Sequence, residues 1–170
     1  MRKYFLKTSR IAFSHWDNND IDLAYTLWGD PAVTRYISAN GLFSLEQVKD
    51  RLNKEMNMQK EFQVQYWPLF SLTNEEFIGC CGLRPYAIEK NICEIGVHLK
   101  SSHWGSGYAT EAVNAVIQYA FDIKKVDNLF AGHNPNNEAS KKMLLKLGFK
   151  YSHDEFYEPT GLYHSSYFYK

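Results

Sequence analysis

Hydrophobic residues recur along the chain at two spacings, one typical of helices and one typical of strands. Near the start, a helix is predicted to begin at Asn18 or Asn19 and to end before Gly29 and Pro31. Its apolar face follows the i, i+3, i+4, i+7 spacing through Ile21, Ala24, Tyr25 and Trp28.

A second helix is predicted from a capping pattern. Ser44 and Gln47 form S-x-x-Q, in which the two side chains satisfy free backbone N–H groups at a helix start. The predicted buried stripe of this helix consists of Leu45, Val48, Leu52 and Met56.

The longest apolar stripe predicts a third helix, and a fourth follows the segment N-P-N-N. Seven residues form the stripe of the third helix: Ala109, Ala112, Val113, Val116, Ile117, Ala120 and Phe121. The fourth helix is predicted from about Glu138 to Leu147. Gly148 then lies where a left-handed C-cap belongs, with Phe149 folding back on the helix.

Strand-like segments fill the intervals between the helices. Residues 10–16 form the first, QVQYWPLFSLT and FIGCCGLRPY form a hairpin around NEE, and ICEIGVHLK and NLFAGH follow. The aromatic-rich residues 150–170 split around E-P-T-G into two more strands. This order predicts a mixed α/β domain built around one sheet.

Composition narrows the class of protein. The 170 residues contain no repeat or linker, so one domain over residues 1–170 is expected. Lys+Arg 19 balance Asp+Glu 19, which argues against a nucleic-acid partner. The three cysteines are expected to be reduced, packed thiols. Without a signal-length or membrane-spanning apolar stretch, a soluble cytoplasmic protein with no membrane partner is expected.

The segment HWGSGYATEA, residues 103–112, places two glycines directly before the third predicted helix. Backbone N–H groups clustered at a helix start bind phosphate oxygens, although an ordinary turn would also explain the glycines. A dinucleotide-binding G-x-G-x-x-G turn does not fit, because Thr110 occupies the third glycine position. A triphosphate loop does not fit either, because G-K-[ST] is absent.

Four segments together resemble the GNAT family of N-acetyltransferases, and within it the RimJ/RimL-like branch, over nearly the full length. They are LKTSRIAFSHWDNNDIDLAYTLWGDPAV, FIGCCGL, CEIGVHLKSSHWGSGYATEA and NPNNEASKKMLLKLGF. The last contains the family pattern N-x-x-S followed by K-x-G-F.

The resemblance implies an α/β (α+β) single-domain fold with one mixed, mostly antiparallel sheet. It implies six to seven strands, a splayed central parallel pair and about four flanking helices. It also implies direct acetyl transfer from acetyl-CoA to a primary amine in a ternary complex, without a metal. The acceptor is a protein N-terminus or a small amine, and both a monomer and a homodimer fit. A non-catalytic acyl-CoA-binding or interaction module of the same fold is the alternative.

The resemblance implies two segments that bind acetyl-CoA. The pantetheine arm would bond to the strand edge at Val97, His98 and Leu99. The pyrophosphate would be held by Gly105, Ser106, Gly107, Tyr108, Ala109 and Thr110. The family often has Gln or Arg where this chain has Trp104, which leaves phosphate binding to the backbone. Asn137 would bond the arm, cap the following helix, or do both.

Glu94 is the predicted general base, because amine attack on a thioester needs a neutral amine and several family members carry a glutamate in this strand. Strand alternation places Glu94 and Gly96 on one face, so Gly96 is expected to leave room for the acceptor. An ordinary surface glutamate is the alternative.

Ser140 is the predicted acid for the thiolate leaving group. Many family members use a tyrosine at the position of Leu144, whereas the RimJ/RimL-like branch resembles this chain in carrying Ser140. An ordinary serine near a helix start is the alternative.

Four aromatic residues are implied to border the acceptor, namely Tyr36, Phe43, Tyr157 and Tyr163. His98 and His103 flank the glycine loop, but no further cysteine or carboxylate pattern accompanies them, so no metal site is expected.

Overall fold

The computed structural model describes residues 1–170, which form one eight-stranded mixed sheet with helices on both faces. The strands are β1 (Leu6–Lys7), β2 (Ile11–Phe13), β3 (Tyr66–Ser71), β4 (Phe77–Ala87), β5 (Ile92–Leu99), β6 (Asn128–His133), β7 (Lys150–Tyr157) and β8 (Leu162–Tyr169). The α-helices are α1 (Ile21–Trp28), α2 (Pro31–Thr34), α3 (Leu45–Phe62), α4 (Tyr108–Asp122) and α5 (Glu138–Leu147). None of these helices has the length and apolar composition needed to cross a membrane.

The strand order is β1-β2-β3-β4-β5-β6-β8-β7, and every neighbouring pair is antiparallel except β5 and β6. This confirms the predicted mixed, mostly antiparallel sheet. The sheet has one strand more than the six to seven expected, and there are five helices instead of about four. The additional β1 and α2 contain two and four residues, too few for a hydrophobic period to appear.

The helix termini follow the sequence signals closely. The capping box of Ser44 and Gln47 is formed at the start of α3. At the end of α5, Gly148 has a left-handed φ of 98°, and the Phe149 N–H donates to the Leu144 carbonyl. Pro31 does not simply end α1 but occupies the first position of α2, where a missing N–H costs nothing.

Both faces of the sheet are buried in its central part. One face packs against α4 and α5 through a large cluster that includes Trp67 and Val113. The other face is covered by α1 and α3, which contact Tyr66 among others. Cys80 and Cys81 fall in different clusters, as strand alternation requires, and both thiols are free.

Two residues of the predicted apolar stripes lie on the surface. Tyr25 and Leu45 are 48% and 47% exposed, because α1 and α3 contact the sheet along narrower stripes than the sequence period suggests. In α3, the buried residues include the charged Glu55, whose side chain is completely inaccessible.

The parallel pair separates soon after it begins. β5 and β6 pair only from Ile92 to Glu94 on one strand and from Asn128 to Phe130 on the other. β5 then continues beside β4 to Leu99 while β6 continues beside β8. The predicted splay is confirmed, and it opens the sheet at Glu94.

Candidate active site

A cleft of about 840 Å³ opens where β5 and β6 separate. Its lining comes from both sides of the sheet, so it has two chemically distinct halves. We call the part formed by residues 103–113 and 136–144 the loop half. We call the part formed around Arg51, Tyr66, Arg84 and Glu94 the arginine half.

Two glycines shape the loop half. Gly105 and Gly107 have left-handed φ angles of 76° and 81°, which a residue with a Cβ adopts at a cost of roughly 1–2 kcal/mol. A Cβ at Gly105 would meet no atom within 4 Å. The backbone conformation of the loop, and not crowding inside the protein, therefore requires glycine there.

The backbone N–H groups of residues 105–110 make no hydrogen bond within the protein. The first helical bond of α4 is donated by Glu111 to the Gly107 carbonyl. The six free donors thus lie at the positive end of the helix dipole, an arrangement that binds phosphate oxygens without a metal. The residues of this group that line the cleft are Gly105, Gly107, Tyr108, Ala109 and Thr110.

Ser106 does not line the cleft. Its carbonyl oxygen instead accepts a hydrogen bond of 2.9 Å from Nη1 of Arg10, the residue before β2. Arg10 also donates through Nε to Glu111 Oε2 at 2.7 Å and lies 4.4 Å from the centre of the Tyr108 ring. Arg10 thereby joins the glycine loop to the first turn of α4.

Glu111 fixes Arg10 in turn. Its Oε1 accepts hydrogen bonds from the Thr8 hydroxyl at 2.6 Å and from the Arg10 backbone N–H at 3.1 Å. Partial burial raises the pKa of Glu111, but the hydrogen bonds from Thr8 and Arg10 outweigh it and lower the pKa overall. The carboxylate therefore stays ionised beside Arg10.

The edge of β5 that faces β6 is free beyond Glu94. The backbone N–H of Lys100, the residue after β5, donates to the Ile78 carbonyl of β4. Since backbone groups alternate along a strand, His98 also directs its N–H toward β4, whereas Val97 and Leu99 direct theirs to the open side. The predicted pantetheine edge therefore comprises Val97 and Leu99, and the backbone of His98 does not belong to it.

The His98 side chain packs on the arginine side of the sheet. Its Nδ1 accepts a hydrogen bond of 3.1 Å from Trp28 Nε1, and its ring lies 5.7 Å from the Tyr66 ring. Burial, together with the charges of Arg51 and Arg84, holds the pKa of His98 well below its usual value. His98 thus packs against Trp28 and Tyr66, and its side chain also lines the cleft.

Glu94 lies at the point where β5 and β6 diverge and lines the cleft. The Tyr66 hydroxyl donates to Glu94 Oε1 at 2.7 Å. Burial, and next the charge of Glu94, raise the pKa of Tyr66 well above its usual value, so the phenol remains a donor. One carboxylate oxygen is held in place and the other is available to a ligand.

Gly96 does not leave the space that the sequence suggested. A Cβ built at Gly96 would overlap the hydroxyl end of the Tyr66 ring. The absence of a side chain at Gly96 thus makes room for Tyr66, which reaches Glu94 across this position, and not for an acceptor.

Ser140 and Asn137 lie on the loop half, at the start of α5, and both line the cleft. The Asn137 Oδ1 accepts from the Ser140 backbone N–H at 3.2 Å, so the predicted cap is formed. The Ser140 hydroxyl makes no hydrogen bond within the protein. Leu144 is buried to 3% exposure one turn further along.

A family profile described as "Acetyltransferase (GNAT) domain" matches residues 10–150 of the chain. The chain belongs to the GNAT acetyltransferase family. It is accordingly an acetyl-CoA-dependent acetyltransferase.

Two bacterial proteins resemble this GNAT acetyltransferase over most of their length. YkkB of Bacillus subtilis is 34% identical over 149 residues, which cover 86% of each chain. The N-acetyltransferase p20 of Bacillus licheniformis is 30% identical over 145 residues, covering 85% of this chain and 82% of p20.

Solved structures share the fold of this acetyltransferase at low sequence identity. A GNAT acetyltransferase from Bacillus anthracis has a TM-score of 0.80 at 22% identity, covering 96% of this chain and 95% of that one. RimL, a ribosomal L7/L12 alpha-N-protein acetyltransferase in complex with coenzyme A, has 0.82 at 12%, covering 98% and 97%. Spermidine N-acetyltransferase from Vibrio cholerae, with CoA and spermine, has 0.79 at 14%, covering 95% and 96%.

The aromatic residues expected around the acceptor of this acetyltransferase divide into two pairs. Tyr36 and Tyr157 line the cleft. Phe43 is partly buried against the hydrophobic cluster under α1 and α3, outside the cleft, and Tyr163 is 65% exposed outside the cleft. The structure therefore brings only the first pair to the site.

Several residues that line the arginine half were not singled out from the sequence. They are Arg51, Tyr66, Arg84, Tyr86 and Phe130. Only Arg84 could have been identified from the sequence, because it follows FIGCCGL in a strand predicted to form a hairpin. Its position opposite Glu94 becomes known only from the register of β4 and β5 in the structure.

Proposed function

We propose that the protein is an N-acetyltransferase that moves the acetyl group of acetyl-CoA to a primary amine by direct attack in a ternary complex. One observation carries this proposal. Free amides of the loop half, those of Gly105 and residues 107–110, and the oriented carboxylate of Glu94 line one cleft, at the only parallel step of the sheet. The amides suit the pyrophosphate of the acetyl donor, and the carboxylate suits an amine that must lose a proton.

In the proposed complex, the pyrophosphate of acetyl-CoA accepts hydrogen bonds from the amides of residues 105–110. The pantetheine amides extend β5 by pairing with the free backbone groups of Val97 and Leu99, which places the thioester near the divergence at Glu94. Asn137 caps α5 and borders this path.

The proposed reaction begins with a neutral amine, formed when Glu94 accepts a proton directly or through water. The amine nitrogen attacks the thioester carbonyl carbon, a C–N bond forms, and the C–S bond breaks. The nitrogen loses one further proton and the sulfur gains one, so the products are an N-acetyl amide and CoA thiol. The free hydroxyl of Ser140 supplies the donor that the departing sulfur needs.

Two acceptor classes fit the proposed reaction. Among proteins of similar fold, RimL is a ribosomal L7/L12 alpha-N-protein acetyltransferase and the Vibrio cholerae enzyme is a spermidine N-acetyltransferase. We therefore propose either a protein N-terminus or a small amine as the acceptor. We also assign the chain to the RimJ/RimL-like branch, because it has Ser140 and the glycine-loop pattern.

The proposal is tested by measuring CoA release from acetyl-CoA with a panel of amines. The panel contains ribosomal-protein N-terminal peptides, polyamines, aminoglycosides and free amino acids. Release that depends on both the amine and Glu94 is expected. Tight acetyl-CoA binding without turnover of any amine would instead identify a non-catalytic acyl-CoA-binding module.

A further inference from the structure

The arginine half holds two guanidinium groups against one buried carboxylate. Arg51 donates through Nε to Glu55 Oε1 at 3.2 Å, and Arg84 donates to the same oxygen. The second oxygen, Oε2, accepts the Tyr66 backbone N–H at 2.7 Å. Glu55 is therefore fully used, yet it neutralises only one of the two arginines.

Both arginines keep donors that the protein does not satisfy. Arg84 Nε is buried without a partner, and Arg51 makes no side-chain hydrogen bond other than the one from its Nε to Glu55. Both side chains line the cleft at 12% and 14% exposure. Arg84 Nε has no accessible surface, so the donors open to a ligand are the terminal N–H groups that Glu55 does not bind, on Nη1 of Arg84 and on both Nη atoms of Arg51.

The charges nearby leave no large positive excess. Glu55 and Glu94 together balance the two guanidinium groups, and Lys54 adds a cation on α3 outside the lining of the cleft. Burial lowers the pKa of Lys54 first, and Arg84 and Arg51 lower it further. Burial and the same two arginines also hold the pKa of His98 well below its usual value. The two arginines therefore favour an anionic ligand group through charge-assisted hydrogen bonds from their unpaired N–H groups.

We propose that the acceptor is an amine that also carries a carboxylate, bound by Arg84 and Arg51 while the amine faces Glu94. The inference rests on the proposed N-acetyltransferase function and names the chemical class of its acceptor. It disfavours polyamines, because a second cation would meet the two guanidinium groups.

The spacing of the groups suits an amino acid. Arg84 and Glu94 are directly opposite each other in the β4–β5 register. The Arg84 guanidinium lies 4.2 Å from the centre of the Tyr66 ring, and the hydroxyl of that ring binds Glu94. Arg84 lies over the face of the Tyr66 ring and Glu94 accepts from its hydroxyl, so a cation and a carboxylate border the same side chain, as the two charged groups of an amino acid require.

An aromatic wall continues from this position. The rings of Tyr86 and Phe130 are stacked with their centres 3.9 Å apart, and both line the cleft beside Glu94. An acceptor with an apolar or aromatic side chain would rest against them. We therefore choose L-phenylalanine as the first carboxylate probe.

The alternative is an arginine–glutamate–arginine cluster that only stabilises the fold. Removing one partner of such a buried cluster destabilises a protein but has no reason to change which amine is acetylated. The experiment must therefore measure acceptor preference and stability separately.

The test compares kcat/KM for L-phenylalanine, L-phenylalaninamide and phenethylamine in the CoA-release assay. Binding of the same three compounds to the CoA-bound protein is measured by calorimetry. Phosphoethanolamine tests a phosphate as the anion, and spermidine tests a polyamine. We expect the carboxylate compound to be preferred over its amide by about 10- to 100-fold, the range for a charge-assisted contact.

Two variants assign the preference to the arginines. Arg51→Gln and Arg84→Gln are each expected to lower kcat/KM for L-phenylalanine by a much larger factor than kcat/KM for phenethylamine, so that most of the carboxylate preference is lost. Arg51→Lys keeps the positive charge and should retain part of the preference. It provides the test if Arg84→Gln folds poorly. Arg2→Gln removes a comparable ion pair with Asp20 outside the cleft and should leave the preference unchanged.

The outcomes separate the two proposals. Turnover or binding that is equal for the amide, or better for spermidine, overturns the carboxylate inference but leaves the acetyltransferase proposal in place. A carboxylate preference that survives in both glutamine variants also overturns it. If no amine is turned over, the proposed function fails, and the calorimetric comparison still decides whether the cleft recognises a carboxylate.

Discussion

The two halves of the cleft are built from different parts of the polypeptide. The loop half presents backbone amides of six consecutive residues, 105–110. The arginine half presents side chains from three strands and one helix, with Arg51 on α3, Tyr66 on β3, Arg84 on β4 and Glu94 on β5. The first can be encoded in one short segment, whereas the second exists only when distant segments meet.

This difference bears on how each half tolerates change. A backbone amide remains after any substitution except proline, so the loop half depends on conformation and is sensitive to its glycines. A site made of side chains depends on residue identity, so substitutions in the arginine half should change which acceptor binds. The following variants test this division, beginning with the largest expected effect.

Replacing Glu94 by glutamine should damage catalysis most. The amide cannot accept the proton of the amine, so kcat should fall by about 10²–10⁴-fold near neutral pH, the usual range for general base catalysis. Activity should recover in part at high pH as the free amine deprotonates. Steady-state rates from pH 6 to 10 measure this, with Glu89→Gln on the exposed turn before β5 as control. Full activity across this pH range would remove Glu94 as the base.

Replacing Ser140 by alanine should reduce kcat by about 10²-fold, the low end of the range for general acid catalysis, because the sulfur loses its proposed donor. The KM for acetyl-CoA should change little, since Asn137 still caps α5 through the backbone N–H of residue 140. Ser152→Ala, on the exposed strand β7, is the control. Turnover equal to that of the unmodified protein would show that Ser140 is an ordinary helix residue.

Replacing Gly105 by alanine should raise the KM for acetyl-CoA by about 10-fold, because the strained left-handed conformation relaxes and moves the loop amides. Gly161 provides a matched control. Its φ is 70°, close to the 76° of Gly105, and a Cβ at either position meets no atom within 4 Å.

Gly105→Ala and Gly161→Ala should therefore lower the melting temperature by similar amounts, yet only Gly105→Ala should weaken acetyl-CoA binding. An equal rise in KM for both variants would mean that the loop conformation does not matter for the donor.

Replacing Arg10 by glutamine should raise the KM for acetyl-CoA by a smaller factor, about 3- to 5-fold, with kcat unchanged. The hydrogen bond to the Ser106 carbonyl is lost, so the loop becomes less ordered. The effect is small because this charge-assisted contact is partly exposed to solvent. Titration of acetyl-CoA at a saturating amine measures this, and Arg2→Gln is the control. A fall in kcat with unchanged KM would contradict a role in positioning the loop.

Replacing His98 by glutamine should affect the pH dependence of stability and little else. Because burial lowers the pKa of His98 in the folded state, the unfolded chain binds more protons, and stability falls as the pH drops below about 6.5. Glutamine can still accept from Trp28 but does not titrate, so the loss of stability between pH 7.5 and 5.5 should become smaller.

Some pH dependence should remain in His98→Gln, because burial also lowers the pKa of His15 and His164. Thermal melts across this pH range measure the slope, with His153→Gln on exposed β7 as control. An unchanged slope would mean that the pKa of His98 is the same in the folded and unfolded protein.

Most of the fold was accessible from the sequence, because helices and strands leave local periods. The buried stripe of α4 and the caps at Ser44 and Gly148 were located correctly. The errors concern features that local patterns do not encode. The full burial of Glu55 depends on Arg51 and Arg84, and the second of these lies 29 residues further along the chain.

The sequence by itself determined the family, and it singled out the glycine loop, Glu94 and Ser140 as candidate site residues, because each belongs to a contiguous motif. Only the tertiary structure decided that Tyr66 fills the space at Gly96, and that Arg10 lies against a loop 96 residues away. Only it placed Arg84 opposite Glu94 and brought Arg51 to the same buried carboxylate, Glu55. The physical reason is that a motif records which residues are neighbours in the chain, whereas strand register and helix packing determine which charges share a cleft.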